Sequence, residues 1–100
     1  MLTIANEVNG DVNVLKLVGR LDAKAAREAE EAFTEAAAAA PNVVLDFSEL
    51  DYIASAGLRA VKQLRGNVRN NGGTLTVRNV QDNVMDIFEM TGFAAMLTFE

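Results

Sequence analysis

A short apolar run, Val43–Phe47 (VVLDF), constrains the fold more than any other feature of the sequence. It has almost no polar alternation, which is the pattern of a strand covered on both faces, and such strands lie centrally in a sheet. Helix-length segments flank it, from a cap at Asp22 to about Ala40 and from about Ala56 to Asn70. A central strand between two helices predicts an α/β fold with right-handed crossovers.

Further strands and helices are predicted around this central strand. Alternating apolar residues indicate strands, apolar residues at helical spacing indicate helices, and turn residues separate them. The remaining predicted elements are a hairpin from Leu2 to Val18, a loop at Ser48–Ala54, a strand at Thr74–Val80, a helix at about Gln81–Met90 and an edge strand at Met96–Phe99. The order β-β-α-β-α-β-α-β predicts a single-domain α/β fold over residues 1–100, with a mixed β-sheet and packed helices.

Composition narrows the chemistry that this domain can perform. The 100 residues are 50% hydrophobic and 23% charged, as expected for one globular domain of ordinary size. Without cysteine or histidine, the chain lacks the residues of disulfide frameworks, the usual zinc sites and histidine-based catalysis. We therefore expect a binding protein and not an enzyme, with no metal and no cofactor.

The charge of the chain limits its partners. A formal charge of −5 and a pI of about 4.6 argue against DNA or RNA, because nucleic-acid affinity depends largely on lysine and arginine. The N-terminal residues lack the basic start and apolar stretch of a signal peptide, and no segment approaches the roughly 18 apolar residues of a membrane helix. The expected location is the cytoplasm, with no membrane partner.

Ser55 is the most informative polar residue of the sequence. It lies between the predicted loop and the predicted second helix, and its neighbours Ala56 and Gly57 are too small to cover its hydroxyl. Unpaired N–H groups and a partial positive charge at a helix N-terminus can accept a phosphate without unfolding the helix. The sequence therefore predicts an accessible hydroxyl at a site that tolerates phosphorylation.

Three segments in the same order resemble the STAS domains of bacterial anti-sigma-factor antagonists. In that family a serine followed by one small residue and Gly-Leu opens the second helix and is phosphorylated, as in Leu45–Leu58 (LDFSELDYIASAGL). The segment Gly19–Asp22 (GRLD) is similar to the family's Gly-x-Leu-Asp, and Phe88–Phe93 (FEMTGF) to its closing Phe-x-x-Ser/Thr-Gly. The resemblance extends over the whole chain and implies the STAS fold.

The resemblance implies a function in partner switching. The unmodified protein would bind an anti-sigma factor that is also a serine kinase with a histidine-kinase-like ATP-binding fold, and so free the sigma factor. Phosphorylation would release that partner until a metal-dependent serine phosphatase removes the phosphate. The resemblance implies that Ser55 is the phosphorylation site. Several family members have an acidic residue before this serine and a second hydroxyl after it, whereas Ala54 and Ala56 flank Ser55 here.

Other residues are assigned to the site by their position. The predicted partner-binding residues are Asp22, Ala54, Ala56, Gly57 and Leu58. Asp46, at the predicted end of the central strand, is expected near Ser55 as a site-organising residue, because ligands of open α/β sheets gather where strands end. Each aspartate also has a structural interpretation, since Asp22 can cap the first helix and Asp46 can organise a loop.

Alternative functions remain open from the sequence. Ser55 could serve only as an N-cap, a role worth about 1 kcal/mol. A STAS subunit that regulates a lipid-transport ABC ATPase would share the fold and the hydroxyl at the helix start. A small-molecule or nucleotide binder would depend only on the anion-binding capacity of that helix start.

Overall fold

The predicted order of strands and helices is confirmed in the computed structural model, which describes residues 2–100. The elements are β1 (Leu2–Asn9), β2 (Val12–Leu21), α1 (Ala23–Ala39), β3 (Asn42–Ile53), α2 (Ser55–Asn70), β4 (Leu75–Arg78), α3 (Asp82–Thr91), a 3-10 turn (Phe93–Ala95) and β5 (Thr98–Phe99). The five strands form one sheet in the order β1-β2-β3-β4-β5. Strand β1 pairs antiparallel with β2 and all other neighbours are parallel, so the sheet is mixed as predicted.

Strand β3 is central, but the prediction that both of its faces are covered is wrong. Leu45 and Phe47 are fully buried in a core to which all three α-helices contribute. Val44 and Asp46 point to the opposite face and stay half-buried. Within residues 2–100 the helices therefore cover one face of β3, and β-branched and polar side chains occupy the other.

Of the predicted loop at Ser48–Ala54, all residues except Ala54 form the second half of β3. It continues to pair with β2, with Val18 opposite Glu49 and Leu21 opposite Ile53, after shifts of register along the way. These irregularities place the buried residues Phe47, Leu50 and Ile53 three positions apart. A spacing of three hides the two-residue period by which a strand is recognised in sequence.

Side chains at the start of α3 donate hydrogen bonds to backbone carbonyl oxygens in the second half of β3. The pairing of β4 with β3 ends where Arg78 lies opposite Asp46. Beyond that point the side-chain amide of Gln81 donates to the backbone carbonyl oxygen of Ser48 at 3.0 Å. The side-chain amide of Asn83 donates to the backbone carbonyl oxygen of Asp51 at 2.6 Å. The extension thus carries the chain on to the end of β2, where α2 begins.

The other boundaries differ from the predicted ones by a few residues, which is the usual uncertainty for element ends. The hairpin extends past Val18 to Leu21, β4 is shorter than predicted, and β5 begins at Thr98. Within residues 2–100, no helix combines the length and apolar composition needed to cross a membrane.

Candidate functional site at the start of α2

Helix α2 begins directly after β3 and is tied to the end of β2. The N–H of Ala54 donates to the carbonyl oxygen of Leu21 at 2.9 Å, and Ala54 has an extended backbone with φ −95° and ψ 171°. The first hydrogen bond of the helix runs from the N–H of Leu58 to the carbonyl oxygen of Ala54 at 3.0 Å. Ala54 is therefore the N-cap residue, and Ser55 is the first residue within the helix.

This geometry rules out the interpretation of Ser55 as an N-cap. Among the hydrogen bonds within residues 2–100, none caps the first turn of α2 through a side chain, and none involves the hydroxyl of Ser55. Ser55 itself is exposed, as predicted. Its hydroxyl is therefore accessible to another protein and is not used by the fold.

Gly57 allows the first turn of α2 to contact the ends of β2 and β3. A Cβ atom at this position would lie 2.8 Å from Cγ of Leu21, 2.9 Å from Cγ1 of Ile53 and 2.9 Å from the carbonyl oxygen of Leu21. Such distances are too short for ordinary packing, so a side chain would push α2 away from the sheet. Glycine is therefore required at position 57 because α2 packs too closely against the sheet to admit a side chain.

We expect Gly57→Ala to lower the free energy of unfolding by about 1 to 3 kcal/mol, the usual cost of overpacking a core. Alanine has the higher helix propensity, so any loss must come from the contacts with Leu21 and Ile53. Urea denaturation would measure the change. The matched control is Gly66→Ala in the same helix, where a Cβ would meet no atom within 4 Å and stability should rise. Equal stabilisation by both substitutions would contradict the packing argument.

Two of the predicted partner-binding residues are buried and cannot form a docking surface. Gly57 lies against the sheet, and Leu58 is only 4% exposed and belongs to the core. Ala54 and Ala56 are half-buried beside the exposed Ser55. Gly57 and Leu58 thus hold the first turn of α2 in place, while the surface around Ser55 is lined by small side chains.

Asp22 caps α1, as one of its two interpretations predicted. Its Oδ1 accepts a hydrogen bond from the N–H of Ala25 at 2.9 Å. Asp22 directly follows Leu21, whose carbonyl oxygen accepts the N–H of Ala54. The fold therefore brings the starts of α1 and α2 together at the end of β2, with Asp22 half-buried beside the Ser55 segment. Its contact with a partner remains a prediction.

The N-terminus of α2, its positive end, has no acidic residue at its cap or in its first turn, whereas α1 and α3 each have one. The carboxylate of Asp22 caps α1, and Asp82 provides a negative charge in the first turn of α3. The first turn of α2 contains neither an acidic residue nor a side-chain cap. Negative charge near a helix N-terminus stabilises it by about 0.3 to 1 kcal/mol, so a phosphate on Ser55 would be compatible with the fold.

The prediction that Asp46 lies near Ser55 is wrong. Strand β3 continues for seven residues beyond Asp46, which corresponds to about 23 Å at the usual rise per residue. Asp46 instead accepts hydrogen bonds from the N–H of Ser48 at 2.9 Å and from the amide of Asn79 at 3.4 Å, and pairs with Arg78 at 3.8 Å. It organises the end of the β3–β4 pairing, on the face of the sheet opposite the helices.

The surroundings of Asp46 favour its charged form. Partial burial by itself would raise the pKa, but hydrogen bonds from the backbone and side chain of Ser48 and from Asn79, together with Arg78, outweigh it. The pKa of Asp46 therefore lies below its ordinary value. This makes Asp46 a pH-dependent contributor to stability and not part of the Ser55 site.

We expect Asp46→Asn to lower the free energy of unfolding by roughly 1 to 2 kcal/mol at neutral pH, less than the full worth of hydrogen bonds to a charged group because asparagine keeps one acceptor oxygen. A carboxyl whose pKa is lowered by folding stabilises the fold above its ordinary pKa of 3.8, and this contribution is lost as pH falls through the lowered value. The difference between variant and wild type should therefore vanish in acid. Urea denaturation over a pH series would measure it.

The control for this prediction is Glu49→Gln, which removes the ion pair of Lys16 with Glu49 at 2.6 Å. That pair is exposed, so its loss should change stability less. A difference between Asp46→Asn and wild type that stayed constant down to strong acid would show that the charge of Asp46 is not responsible.

The sequence did not indicate which residues of the sheet hold the first turn of α2 in place. Leu21 and Ile53 contact Gly57, and the carbonyl oxygen of Leu21 fixes the N–H of Ala54. Both were placed outside any predicted strand because the register shifts hide the strand period there. Arg59 was placed away from the apolar stripe of this helix but was not linked to Ser55, although a spacing of four residues puts both on the same face of α2.

Comparison with known proteins places this site in a family context. The STAS domain family model matches residues 3–100. BtrV of Bordetella bronchiseptica, a candidate anti-sigma factor antagonist, is 41% identical over 54 residues that cover 54% of this chain and 47% of BtrV. The chain thus spans about half the length of the curated relative that it matches.

Solved structures share the fold at low sequence identity. An anti-sigma factor antagonist from Mycobacterium paratuberculosis superposes with a TM-score of 0.88 at 21% identity, over 99% of this chain and 85% of that one. SpoIIAA of Bacillus in its phosphorylated form gives a TM-score of 0.75 at 18% identity, over 100% and 91% of the two chains. Unphosphorylated SpoIIAA gives 0.76 at 17% identity, over 100% and 87%. Because the family model covers nearly every residue and the fold agrees, the chain belongs to the STAS domain family.

Proposed function

We propose that this protein is an anti-sigma-factor antagonist that switches partners through phosphorylation of Ser55. The observation that carries the proposal is the exposed hydroxyl of Ser55 at the first residue of α2, which the fold does not use. The unmodified protein binds an anti-sigma factor in the cytoplasm and thereby frees a sigma factor. Phosphorylation of Ser55 releases the anti-sigma factor.

The physical basis of the switch is the added charge. A phosphate adds about −1.5 to −2 charges and three strong hydrogen-bond acceptors to a surface otherwise lined by small side chains. An interface shaped for a hydroxyl would have to desolvate that charge, at a cost of roughly 3 to 4 kcal/mol. At 1.4 kcal/mol per tenfold change, affinity falls by about two to three orders of magnitude.

The fold supports a modification that acts on the surface alone. The uncapped N-terminus of α2 accepts negative charge, so the phosphorylated protein keeps its structure. The small residues Ala54 and Ala56 leave access to the hydroxyl from outside. The switch therefore operates by changing what can dock and does not require unfolding.

The reactions belong to the partners in this proposal. The anti-sigma factor is the serine kinase and transfers the γ-phosphoryl group of ATP to Ser55, and a metal-dependent serine phosphatase removes it. This chain supplies the acceptor hydroxyl and has no catalytic role. Support comes from the relatives, since BtrV is a candidate anti-sigma factor antagonist and SpoIIAA is known in phosphorylated and unphosphorylated forms.

The experiment that tests the proposal is phosphorylation by the purified anti-sigma factor kinase and ATP, followed by mapping of the modified residue. The chain has two serines, which provides a matched control. We expect Ser55→Ala to abolish phosphorylation and Ser48→Ala to leave it unchanged. Phosphate on Ser48, or none at all, would contradict the proposal. Co-purification with an ATPase subunit and no kinase would instead favour the ABC-transport function.

A further inference from the structure

The exposed face of α2 carries a continuous line of residues that starts at the proposed phosphorylation site. We name it the α2 stripe; its members are Ser55, Arg59, Lys62, Gly66 and Arg69. Successive members are four, three, four and three residues apart, so they fall within about 80° of arc and span about 21 Å along the helix. All five are exposed, on the side of α2 opposite its buried residues.

The stripe is strongly basic in an acidic protein. Helix α2 contains four of the nine basic residues of the chain and none of the fourteen acidic ones. The ion pairs within residues 2–100 join Lys16 to Glu49 and Arg78 to Asp46, and neither involves α2. The positive charges of Arg59, Lys62 and Arg69 are therefore not neutralised by the fold and remain available to a partner.

Gly66 in the middle of the stripe is a second, independent observation. A Cβ atom there would meet nothing within 4 Å, and its φ is not in the left-handed region. Neither packing nor backbone conformation requires glycine, in contrast to Gly57 in the same helix. Glycine within a helix weakens it relative to alanine. The absence of a side chain at Gly66 does, however, permit another chain to approach the helix closely.

We propose that the α2 stripe is the docking surface for the anti-sigma factor, which meets it with an acidic surface and approaches most closely at Gly66. This inference rests on the proposed function and specifies the chemistry of its interface. Charge complementarity favours a protein partner with a localised acidic surface, because the fourteen carboxylates on the rest of this chain would repel an extended polyanion such as nucleic acid.

The position of Ser55 explains why phosphorylation would release such a partner. A phosphate there places about two negative charges at one end of a surface that faces carboxylates. Arg59 lies one turn further along the same face, at the spacing at which opposite charges on a helix attract each other. Phosphorylation therefore adds repulsion and also engages Arg59, which would otherwise bind the partner.

The test is calorimetric titration of this protein with the purified anti-sigma factor at low and high salt. We expect Lys62→Glu and Arg69→Glu each to weaken binding at least about tenfold and to reduce its salt dependence. The matched control is Arg27→Glu, an identical charge change at an exposed position of α1, which should leave affinity within about twofold. Gly66→Gln should raise the melting temperature and yet weaken binding, which separates docking from folding.

The outcomes separate the two proposals. If wild type binds and phosphorylation releases the partner, but all stripe variants bind normally, the stripe assignment is wrong and partner switching stands. If wild type does not bind the anti-sigma factor, both proposals fail. A 20-base-pair duplex and vesicles containing phosphatidylserine are titrated in parallel; stripe-dependent binding to either, without stripe-dependent binding to the anti-sigma factor, would overturn the assignment to a protein partner.

Discussion

Replacing Ser55 by aspartate is expected to weaken binding of the anti-sigma factor by about 100-fold, whereas alanine keeps the affinity of the wild type. The factor of 100 corresponds to about 2.7 kcal/mol, somewhat less than for a phosphate because aspartate carries one charge. Ser55 is exposed and its hydroxyl makes no hydrogen bond within residues 2–100, so its removal costs the fold little. The loss for aspartate arises from burying a charge against the partner.

Calorimetric titration of the two Ser55 variants would measure this difference, with Ser48→Asp as the control for an added charge elsewhere. Thermal unfolding should show that Ser55→Asp is at least as stable as wild type, because its carboxylate lies at the uncapped start of α2. Equal affinity of the alanine and aspartate variants would contradict a switch at this residue. Weak binding by both would mean that the hydroxyl itself contacts the partner.

Gly73→Ala is expected to produce the largest loss of stability, about 3 kcal/mol or more. A Cβ atom at Gly73 would lie 1.6 Å from the carbonyl oxygen of Pro41 and 2.5 Å from its carbonyl carbon. Both are backbone atoms of the short connection between α1 and β3, so no side-chain rotation can relieve the overlap. The N–H of Gly73 also donates to the carbonyl oxygen of Val68 at 2.9 Å, which fixes the chain where α2 ends.

Chemical denaturation would test this prediction, and the same substitution at Gly66 is the matched control. Gly66→Ala should raise the free energy of unfolding by up to about 1 kcal/mol, since alanine is the better helix former. A loss of about 3 kcal/mol would lower the melting temperature of a 100-residue domain by more than about 10 °C. Wild-type stability of Gly73→Ala would contradict the close approach of this turn to Pro41.

Local patterns were sufficient to predict the order of the elements and the character of the Ser55 site. The helical spacing of apolar residues in α1 and α2 and the small neighbours of Ser55 act within a few residues of the chain. Asp22 is a similar case, because a cap is defined by hydrogen bonds to the next turn of its own helix. Such features depend on short-range geometry and are therefore visible in sequence.

The extent of β3 and the location of Asp46 depended on contacts between distant parts of the chain. The pairing of β3 with β2 resumes after the register shifts and extends the strand to Ile53, which separates Asp46 from Ser55. Donors from Gln81 and Asn83, more than thirty residues away, satisfy part of the extended edge. A two-residue period cannot reveal a strand whose pairing is irregular.

The sequence alone thus determined an α/β chain with an accessible serine where its second helix begins. Only the tertiary structure decided which residues support that serine, because Gly57 of α2 is constrained by Leu21 of β2 and Ile53 of β3. It also decided that the polar face of α2 stays exposed along its whole length, so that Gly66 and three basic residues continue the surface of Ser55. Local preferences fix the elements, whereas burial and close approach depend on how those elements pack together.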